Sequence, residues 1–350
     1  MKQNMKKKGI YIYGIVPNFF SPDLFRSLED FEIYSIPWQN ISAIVSDRDD
    51  VVLDYYDRES LGNLLIHHQL TIEKLMGIGF NLFIPMKLGT IMENKDDVIK
   101  ILSNGYDLIM ETMSKIESFI EFDLAVTWYD FPAVISEIAN HPDIIALKEE
   151  IKTQAETANQ IDQMKAGMLV QSLLKEKNSK VELYILDSLA SISKDIKTHD
   201  LMNDQMITNS AFMISHNKKE KFEQIIDRLD KEFNGLLNFK IIGPLPCYSF
   251  YTIELKEINK ELITNAKKEL DLTDITSESD IKKAYMGKAK LFHPDATPET
   301  GDQEKFNQIY EAYHTLIDYS LIIRQTSKEE TFSLSDNDIH DKLMLIKIKD

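Results

Sequence analysis

Short apolar runs alternate with helical patterns over residues 10–128, and this alternation limits the folds that the chain can adopt. Each run is rich in β-branched or aromatic side chains, which is typical of a strand. The predicted strands are residues 10–16, 31–36, 41–46, 81–88 and 121–128. Helices with one apolar face are expected to cover one side of the resulting sheet. We therefore predict an α+β domain over residues 1–135.

Two helical patterns lie between these runs, with apolar residues recurring at spacings of three and four. The first consists of Leu61, Leu64, Leu65, His68, Ile72, Leu75 and Met76. The second consists of Val98, Ile101, Leu102, Leu108, Ile109, Met113, Ile116 and Phe119. Each pattern predicts an amphipathic helix that packs on the sheet.

A second sheet-plus-helix unit is predicted within residues 136–257, after helices over 143–200 that bridge the two units. Its strands are expected at residues 210–215, 237–242 and 249–255, and a helix with an apolar stripe follows the first of them. Pro244 and Pro246 separate the last two strands, and proline disfavours regular pairing, so we expect a shaped turn there. The predicted fold class is α+β, with a ferredoxin-like second unit.

The chain becomes all-helical over residues 265–320. Ser277 is placed to cap a helix over 279–292, with Asp280 three positions later in the manner of a capping box. A second helix is predicted over 304–316. The tail, residues 321–350, ends in the apolar run LMLIKIK, which suits either an added strand or a sticky tail, and its role stays open.

Composition excludes several classes of function. Lys and Arg number 40 against 57 Asp and Glu, a net charge of −17, so the chain repels phosphate backbones and nucleic acid is not an expected partner. Cys247 is the only cysteine, which excludes a disulfide framework and indicates a reducing compartment. No run reaches the roughly 18 apolar residues of a membrane span. We expect a soluble, cytoplasmic protein that does not bind a membrane.

Motifs of common enzymes are absent from the sequence: there is no GxxxxGK[ST], GxGxxG, GxSxG or HExxH pattern. His67 and His68 are adjacent on a predicted helix, so their side chains point about 100° apart and cannot share one metal ion. The stripe predicts that His68 is a buried, hydrogen-bonded core histidine. We expect no enzyme activity, no metal and no cofactor. The alternative is an uncharacterised enzyme that uses His68 and nearby carboxylates.

The 14 methionines fall mostly on apolar helix faces, where a flexible thioether fills gaps in a core. Core packing is therefore the expected role of these residues. A methionine-rich groove for a partner helix is the alternative.

The two C-terminal helices carry matching apolar stripes and predict a helical hairpin. The stripes consist of Ile281, Ala284, Tyr285, Ala289 and Phe292 on one helix and Phe306, Ile309, Tyr310, Tyr313 and Leu316 on the other. Pro294 ends the first helix, because proline cannot continue it without a clash. His293 and Asp295 are then expected at the tip of the connecting loop.

Several separate segments of residues 9–255 resemble the GvpF/GvpL family of gas vesicle accessory proteins. These segments are IYIYGIV, ISAIVSD, HHQLTIEKLM, FIPMKLGTIM, MITNSAFMISHNKKEKFEQIIDRL and IIGPLPCYSF. The resemblance implies a non-enzymatic assembly factor, a minor vesicle component that binds the hydrophobic shell protein and assists nucleation of the vesicle wall. It also implies other gas vesicle accessory proteins as partners and a location in the gas vesicle. Whether the chain is F-like or L-like stays open.

Residues 277–317 resemble a J-domain, the module with which DnaJ-type co-chaperones engage a DnaK-type chaperone. The resemblance implies that His293, Pro294 and Asp295 carry this contact. A basic helix face assists the contact in the family, and here Lys282, Lys283 and Lys290 supply it.

The basic face departs from the family pattern. Met286 and Gly287 stand where basic residues are usual, and Lys288 stands where an apolar residue is usual. One alternative is a hairpin that keeps the tripeptide only as a helix stop. Another is a general DnaJ-type co-chaperone whose first 255 residues form an unrelated client-binding platform.

Overall fold

The chain folds into two units, and the first of them is built from both ends of the sequence. The structure is a computed structural model, which describes residues 9–19, 22–28, 32–48, 58–154, 160–295, 302–327, 330–340 and 342–349. The first unit comprises Met1–Lys115 and Tyr251–Asp350, and the second unit comprises Ile116–Phe250.

The first unit contains two groups of elements, one from each end of the chain. The N-terminal group is β1 (Gly9–Pro17), α1 (Pro22–Arg26), β2 (Tyr34–Trp38), β3 (Ile41–Arg48), α2 (Arg58–Ile78), β4 (Ile84–Pro85), β5 (Ile91–Met92), α3 (Lys95–Asn104) and α4 (Tyr106–Ile116). The second unit contains β6 (Phe119–Trp128), α5 (Phe131–Ala139), α6 (Pro142–Gln154), α7 (Gln160–Ala190), β7 (Ser193–Thr198), β8 (Met206–Ser215), α8 (Lys219–Phe233) and β9 (Leu237–Leu245). The C-terminal group of the first unit is β10 (Thr252–Asn259), α9 (Lys260–Glu269), β11 (Ile275–Ser277), α10 (Glu278–Phe292), α11 (Gln303–Thr326), β12 (Thr331–Ser333) and β13 (Lys342–Lys349).

The first sheet has the strand order β2-β3-β1-β4, with β5 also pairing with β1, and every pair is antiparallel. Strand β1 lies inside this sheet and is buried along almost its whole length. The strand predicted over residues 31–36 is β2, which starts at Tyr34, and residue 31 lies outside the described ranges. The run predicted over 81–88 supplies only the short strand β4.

The two predicted helical patterns need correction in detail. On α2, Leu64, Ile72 and Leu75 are buried, whereas Leu61 and Leu65 are exposed, so the buried stripe is narrower than the sequence pattern suggests. The second pattern is divided into α3 and α4 at residue 105, and residue 119 starts strand β6 instead of ending a helix. Spacing alone does not reveal these differences, because a strand can begin with the residue that would continue an apolar stripe.

The second unit has four antiparallel strands in the order β7-β8-β6-β9, with α5 to α7 after the first strand and α8 before the last. This β-α-β-β-α-β arrangement confirms the ferredoxin-like prediction. Helices α5, α7 and α8 pack on one face of the sheet, where Phe122, Phe212 and Phe222 form the centre of the core. The helices predicted over 143–200 are α6 and α7, and α7 packs in this core.

The expected boundary at residue 135 differs from the observed one. The predicted N-terminal domain includes strand β6, yet β6 pairs with β8 and β9 of the second unit. At the other end, β10 pairs with β13 of the first unit, so the second unit ends at residue 250 instead of 257. Apolar runs identify strands, but they do not identify partners that are far away in the sequence.

Pro244 lies within strand β9 and not in a separate turn. The strand reaches Leu245, and the register of its pairing with β6 shifts between Glu121 and Asp123. Because β9 is an edge strand in the described sheet, a residue without an N–H is tolerated at this irregularity. The turn that the sequence predicts follows at residues 246–250.

The C-terminal group forms its own core, and the tail completes it. Residues of α9, α10 and α11 pack with Phe332, Leu334, Ile339 and Leu345 of the tail. Strand β13 pairs with β10 along all eight residues, from Thr252 opposite Lys349 to Asn259 opposite Lys342. The apolar end of the chain is therefore an added strand.

Among the residues that the structure describes, no helix is both sufficiently long and sufficiently apolar to span a membrane.

Candidate functional site

Helices α10 and α11 form the hairpin that the sequence predicts. Ser277 and Asp280 form a complete capping box at the start of α10, since each side chain bonds the other residue's backbone N–H. Between the helices, the rings of Tyr285 and Tyr313 stack with their centroids 4.3 Å apart. Ile281 and Ile309 are fully buried beneath them. The hairpin is thus fixed by packing on its inner faces.

The His-Pro-Asp sequence lies at the end of α10, as predicted. The backbone N–H of His293 donates to the carbonyl oxygen of Ala289 at 2.9 Å and closes the helix. The ring of His293 meets the edge of Phe306 on α11, with 5.2 Å between the ring centroids. The backbone N–H of Asp295 donates to Nδ1 of His293 at 3.2 Å. These contacts orient the imidazole, while both side chains remain exposed.

A shallow concavity of about 510 Å³ lies beside this turn. Its lining residues are Tyr285, Ala289, Lys290, His293, Asp295 and Phe306. An aromatic floor with a histidine, a lysine and a carboxylate at the edge suits a polar protein partner more than a small apolar ligand.

The predicted basic residues Lys282, Lys283 and Lys290 are all exposed on α10. Lys288 is different, because its ammonium group lies 2.6 Å from a carboxylate oxygen of Asp271 and donates to the carbonyl oxygen of Glu269 at 2.5 Å. The lysine at a position that is usually apolar therefore connects α10 to the C-terminal end of α9. The basic face consists of three lysines.

One buried carboxylate, which sequence patterns did not reveal, joins the hairpin to the β10–β13 pair. The side chain of Asp318 on α11 is 5% exposed. One of its oxygens accepts from Lys256 of β10 at 2.7 Å, and the other accepts from Lys347 of β13. A buried carboxylate is stable only where cationic groups compensate its charge, so its position relative to both lysines is strongly constrained. Asp318 therefore fixes α11 against both strands.

His68 is buried and hydrogen-bonded, as predicted. Its Nδ1 atom lies 2.7 Å from the hydroxyl oxygen of Tyr11, and its ring stacks on Tyr13. Burial, assisted by the neighbouring His67, lowers the pKa of His68 to about 4. His67 lies on the exposed side of the helix, so one imidazole faces the solvent and the other faces the core. This geometry suits a core histidine.

Acid should destabilise the protein through His68. The folded state holds the imidazole neutral, so the stability from this preference is fully present above pH 6.5 and is lost as the pH falls towards 4. A pKa decrease of this size corresponds to about 3 kcal/mol. His68→Gln should remove most of this pH dependence in urea unfolding at pH 7 and pH 4.5. His216→Gln, at an exposed site, should leave it unchanged. Equal pH dependence in wild type and His68→Gln would contradict this role.

The second unit holds an acidic pair on β6, near the turn that follows β9, in which Glu121 is buried and Asp123 is half-buried. Both carboxylate oxygens of Glu121 accept from Ser249, one from its backbone N–H and one from its hydroxyl, each at 2.8 Å. Burial raises the pKa of Glu121, and the neighbouring carboxylate of Asp123 raises it further. Burial also raises the pKa of the Cys247 thiol to about 12, so this cysteine is a poor nucleophile.

Within the described ranges, no three His, Cys, Asp or Glu side chains come together in an arrangement that could hold a metal ion. Sequence patterns do not reveal the contact between Glu121 and Ser249, because the two residues are 128 positions apart and no short motif contains both.

Two antiparallel sheet-plus-helix units, with a helical hairpin that exposes a His-Pro-Asp turn, define the class: an α+β protein fused to a J-domain. The chain belongs to the gas vesicle synthesis protein GvpL/GvpF family, whose sequence profile matches residues 9–252. Residues 268–321 match the DnaJ domain. Both predicted resemblances are confirmed.

The relatives fall into two groups, one that matches the GvpL/GvpF region and one that matches the DnaJ domain. Gas vesicle protein F of Nostoc sp. (strain PCC 7120) is 23% identical over 248 residues, which cover 70% of this chain and 98% of that protein. Gas vesicle protein F1 of Halobacterium salinarum is 21% identical over 252 residues, or 71% of this chain and 95% of that protein. Chaperone protein DnaJ 1 of Aquifex aeolicus is 53% identical over 45 residues, which cover 13% of this chain and 12% of that protein.

A solved structure supports the fold of the family region. The crystal structure of the gas vesicle protein GvpF from Anabaena sp. PCC7120 superposes with a TM-score of 0.57 and 21% sequence identity. The match covers 69% of this chain and 97% of that chain. At this identity the likeness establishes a shared fold.

Proposed function

We propose that the protein is a gas vesicle assembly factor that acts by binding and not by catalysis. Its GvpL/GvpF region binds the hydrophobic shell protein and assists nucleation of the vesicle wall. Its J-domain recruits a DnaK-type chaperone to that client through His293, Pro294 and Asp295, with Lys282, Lys283 and Lys290 as a basic approach surface. The protein acts at the gas vesicle, together with other gas vesicle accessory proteins.

The observation that carries this proposal is the exposed His-Pro-Asp turn in a chain of the GvpL/GvpF family. The turn contributes no side chain to the buried core of the hairpin, so its polar groups are available to a partner. Lysines beside it favour approach to an acidic partner surface.

An exposed apolar face on α2 supports the binding of a hydrophobic client. Leu61, Leu65, Ile66 and Leu70 project from this helix and are between 47% and 58% exposed. Grouped apolar side chains on a surface are typical of a protein interaction site. The shell protein is the partner that the family membership suggests, and we assign this face of α2 to it.

The J-domain is held against the family region and not on a linker. Strand β10 ends at Asn259, and Asn259 is also the N-cap of α9, where its side chain accepts from the backbone N–H of Leu262. On the other side, the backbone N–H of Lys87 donates to the carbonyl oxygen of Ile253 at 2.8 Å. A chaperone at the turn is therefore brought to the client at a defined position.

The shell protein should remain bound to the wild-type chain during co-purification from cells that produce both proteins. The double variant Leu65→Ser, Ile66→Ser should retain less than one tenth as much, because it removes the centre of the apolar face. Leu183→Ser is the matched control, since Leu183 is exposed on α7 and should change nothing. Quantitative immunoblots of the eluted protein provide the measurement.

Two outcomes would contradict the assignment. If folded wild-type protein retains no shell protein, the client is wrong, and a general co-chaperone becomes the better description. If the Leu65→Ser, Ile66→Ser variant retains as much as wild type, the client binds elsewhere. Thermal unfolding of each variant establishes that a loss reflects the surface and not the fold.

A further inference from the structure

Glu121 holds the turn at residues 246–250 against an inner strand of the second sheet. Its side chain is on β6 and is 1% exposed. Its two oxygens accept both hydrogen bonds that Ser249 donates, one from the backbone N–H and one from the hydroxyl. The chain returns to the first unit directly after this turn, at Tyr251. One buried side chain therefore fixes the turn through which the chain leaves the second unit.

Asp123 lies two positions further along the same strand, so its side chain points to the same face of the sheet as that of Glu121. Its Oδ1 atom is buried and meets no hydrogen-bond donor among the described residues. A buried acceptor without a donor is unfavourable, and a second carboxylate beside it adds repulsion. A protonated Glu121 removes both penalties, because it carries no charge and its hydroxyl group can donate to Asp123.

The surroundings of the acidic pair on the sheet are apolar. The residues opposite the pair on the neighbouring strands are Ala211 and Met213 of β8 and Ile242 and Leu245 of β9. The turn contributes the titratable side chains of Cys247 and Tyr248, and burial keeps the thiol neutral by raising its pKa to about 12. The imidazole of His199 is exposed, and its Nε2 atom lies 3.2 Å from the hydroxyl oxygen of Ser249.

These surroundings place the proton of the pair on Glu121. Burial, and then the charge of Asp123, raise the pKa of Glu121 well above its ordinary value. Burial also raises the pKa of Asp123, but the hydrogen bond with Glu121 and the charge of His199 lower it. Asp123 therefore ionises first, and Glu121 keeps its proton to a higher pH.

We propose that Glu121 and Asp123 share one proton and that loss of this proton opens the turn at residues 246–250. With the proton bound, a neutral Glu121 stays buried beneath Ser249. Without it, two adjacent carboxylates need hydration, because a buried charge without a cationic partner is costly. The turn is the part that moves, since β8 and β9 are both held to β6 by sheet pairing. The pair therefore makes the exit from the second unit sensitive to rising pH.

The rate at which a thiol reagent labels Cys247 measures the opening of the turn in the full-length protein. Cys247 is the only cysteine of the chain and is 2% exposed within this turn. The closed turn binds the shared proton more tightly than the open turn, so its stability falls as the pH rises. Relative to a cysteine peptide at the same pH, the labelling rate should increase at least tenfold between pH 6 and pH 8.

Glu121→Gln should limit this increase to less than threefold. Its side-chain amide is neutral at every pH, and it can accept from Ser249 and donate to Asp123 as the protonated carboxyl group does. Glu220→Gln, at an exposed position on α8, is the matched control and should show the increase of the wild type. An equal pH dependence of labelling in wild type and Glu121→Gln would overturn the proposal.

The titration of the carboxyl group is followed directly by NMR of protein with carbon-13 in its glutamate side chains. One resonance should titrate above pH 6 and should be missing from Glu121→Gln. If that variant fails to fold, Asp123→Asn keeps the test decisive. It removes the neighbouring charge and supplies an NH₂ group that can donate to ionised Glu121, so the resonance should titrate at a lower pH. Titration of every glutamate of the wild type below pH 5.5 would overturn the proposal.

Discussion

Replacing His293 with glutamine is expected to reduce the stimulation of ATP hydrolysis by a DnaK-type chaperone at least tenfold, to the chaperone's basal rate. The imidazole is exposed at the end of α10 and is oriented by Phe306 and by the backbone N–H of Asp295. Glutamine cannot reproduce that ring contact. Because His293 lies outside the buried core, the variant should unfold at the wild-type temperature and retain the shell protein.

The same substitution at His314 is the matched control for the ATPase assay. His314 is exposed on α11 of the same hairpin, where its ring meets that of Tyr310. His314→Gln should stimulate the chaperone as well as wild type does. Stimulation should also decrease steeply with added salt, because the proposed approach surface consists of three exposed lysines, whose attraction to an acidic partner salt would screen. Wild-type protein that gives no stimulation of the host's own chaperone at low salt would reduce the hairpin to a structural element.

Deleting residues 342–350 is expected to unfold the first unit while the second unit stays folded. Leu345 and Ile346 of β13 are fully buried, and removing two such side chains costs about 3–6 kcal/mol. The deletion also leaves β10 without its partner strand and Asp318 without Lys347. The combined loss is comparable to the roughly 5–15 kcal/mol by which whole domains are stable.

Calorimetry and hydrogen exchange of the shortened chain measure this effect. Amides of α9 to α11 should lose protection, whereas amides of β6 and β8 should keep it. Lys349→Ala, at the exposed end of the same strand, should change stability by less than about 0.5 kcal/mol. Cooperative unfolding of the shortened chain at the wild-type temperature would show that the tail is dispensable.

Local patterns predicted the hairpin well, because its information lies in neighbouring residues. The capping box of Ser277 and Asp280, the two apolar stripes and the helix stop at Pro294 all act within a few positions. The same holds for the burial of His68, which follows from its place between Leu64 and Ile72 on one helix face. Only the length of α11 exceeded the prediction, because it continues to Thr326.

Local sequence patterns do not predict which strands pair when the strands are far apart in the chain. The sequence predicts a strand over residues 121–128, but its partners lie in the second unit, so the boundary predicted at residue 135 differs from the observed one. The tail was recognised as apolar, but neither its pairing with β10 nor the contact of Asp318 with Lys256 follows from spacing.

The split first unit sets an order of events during synthesis of the protein. All strands of the second unit are present once residue 250 has left the ribosome, and domains generally fold as units while synthesis proceeds. The first unit lacks the partner of β10 until residues 342–349 have been translated. We therefore expect a J-domain that becomes fully ordered only after β13 has been translated. Chains that terminate before residue 342 would then lack a fully folded J-domain.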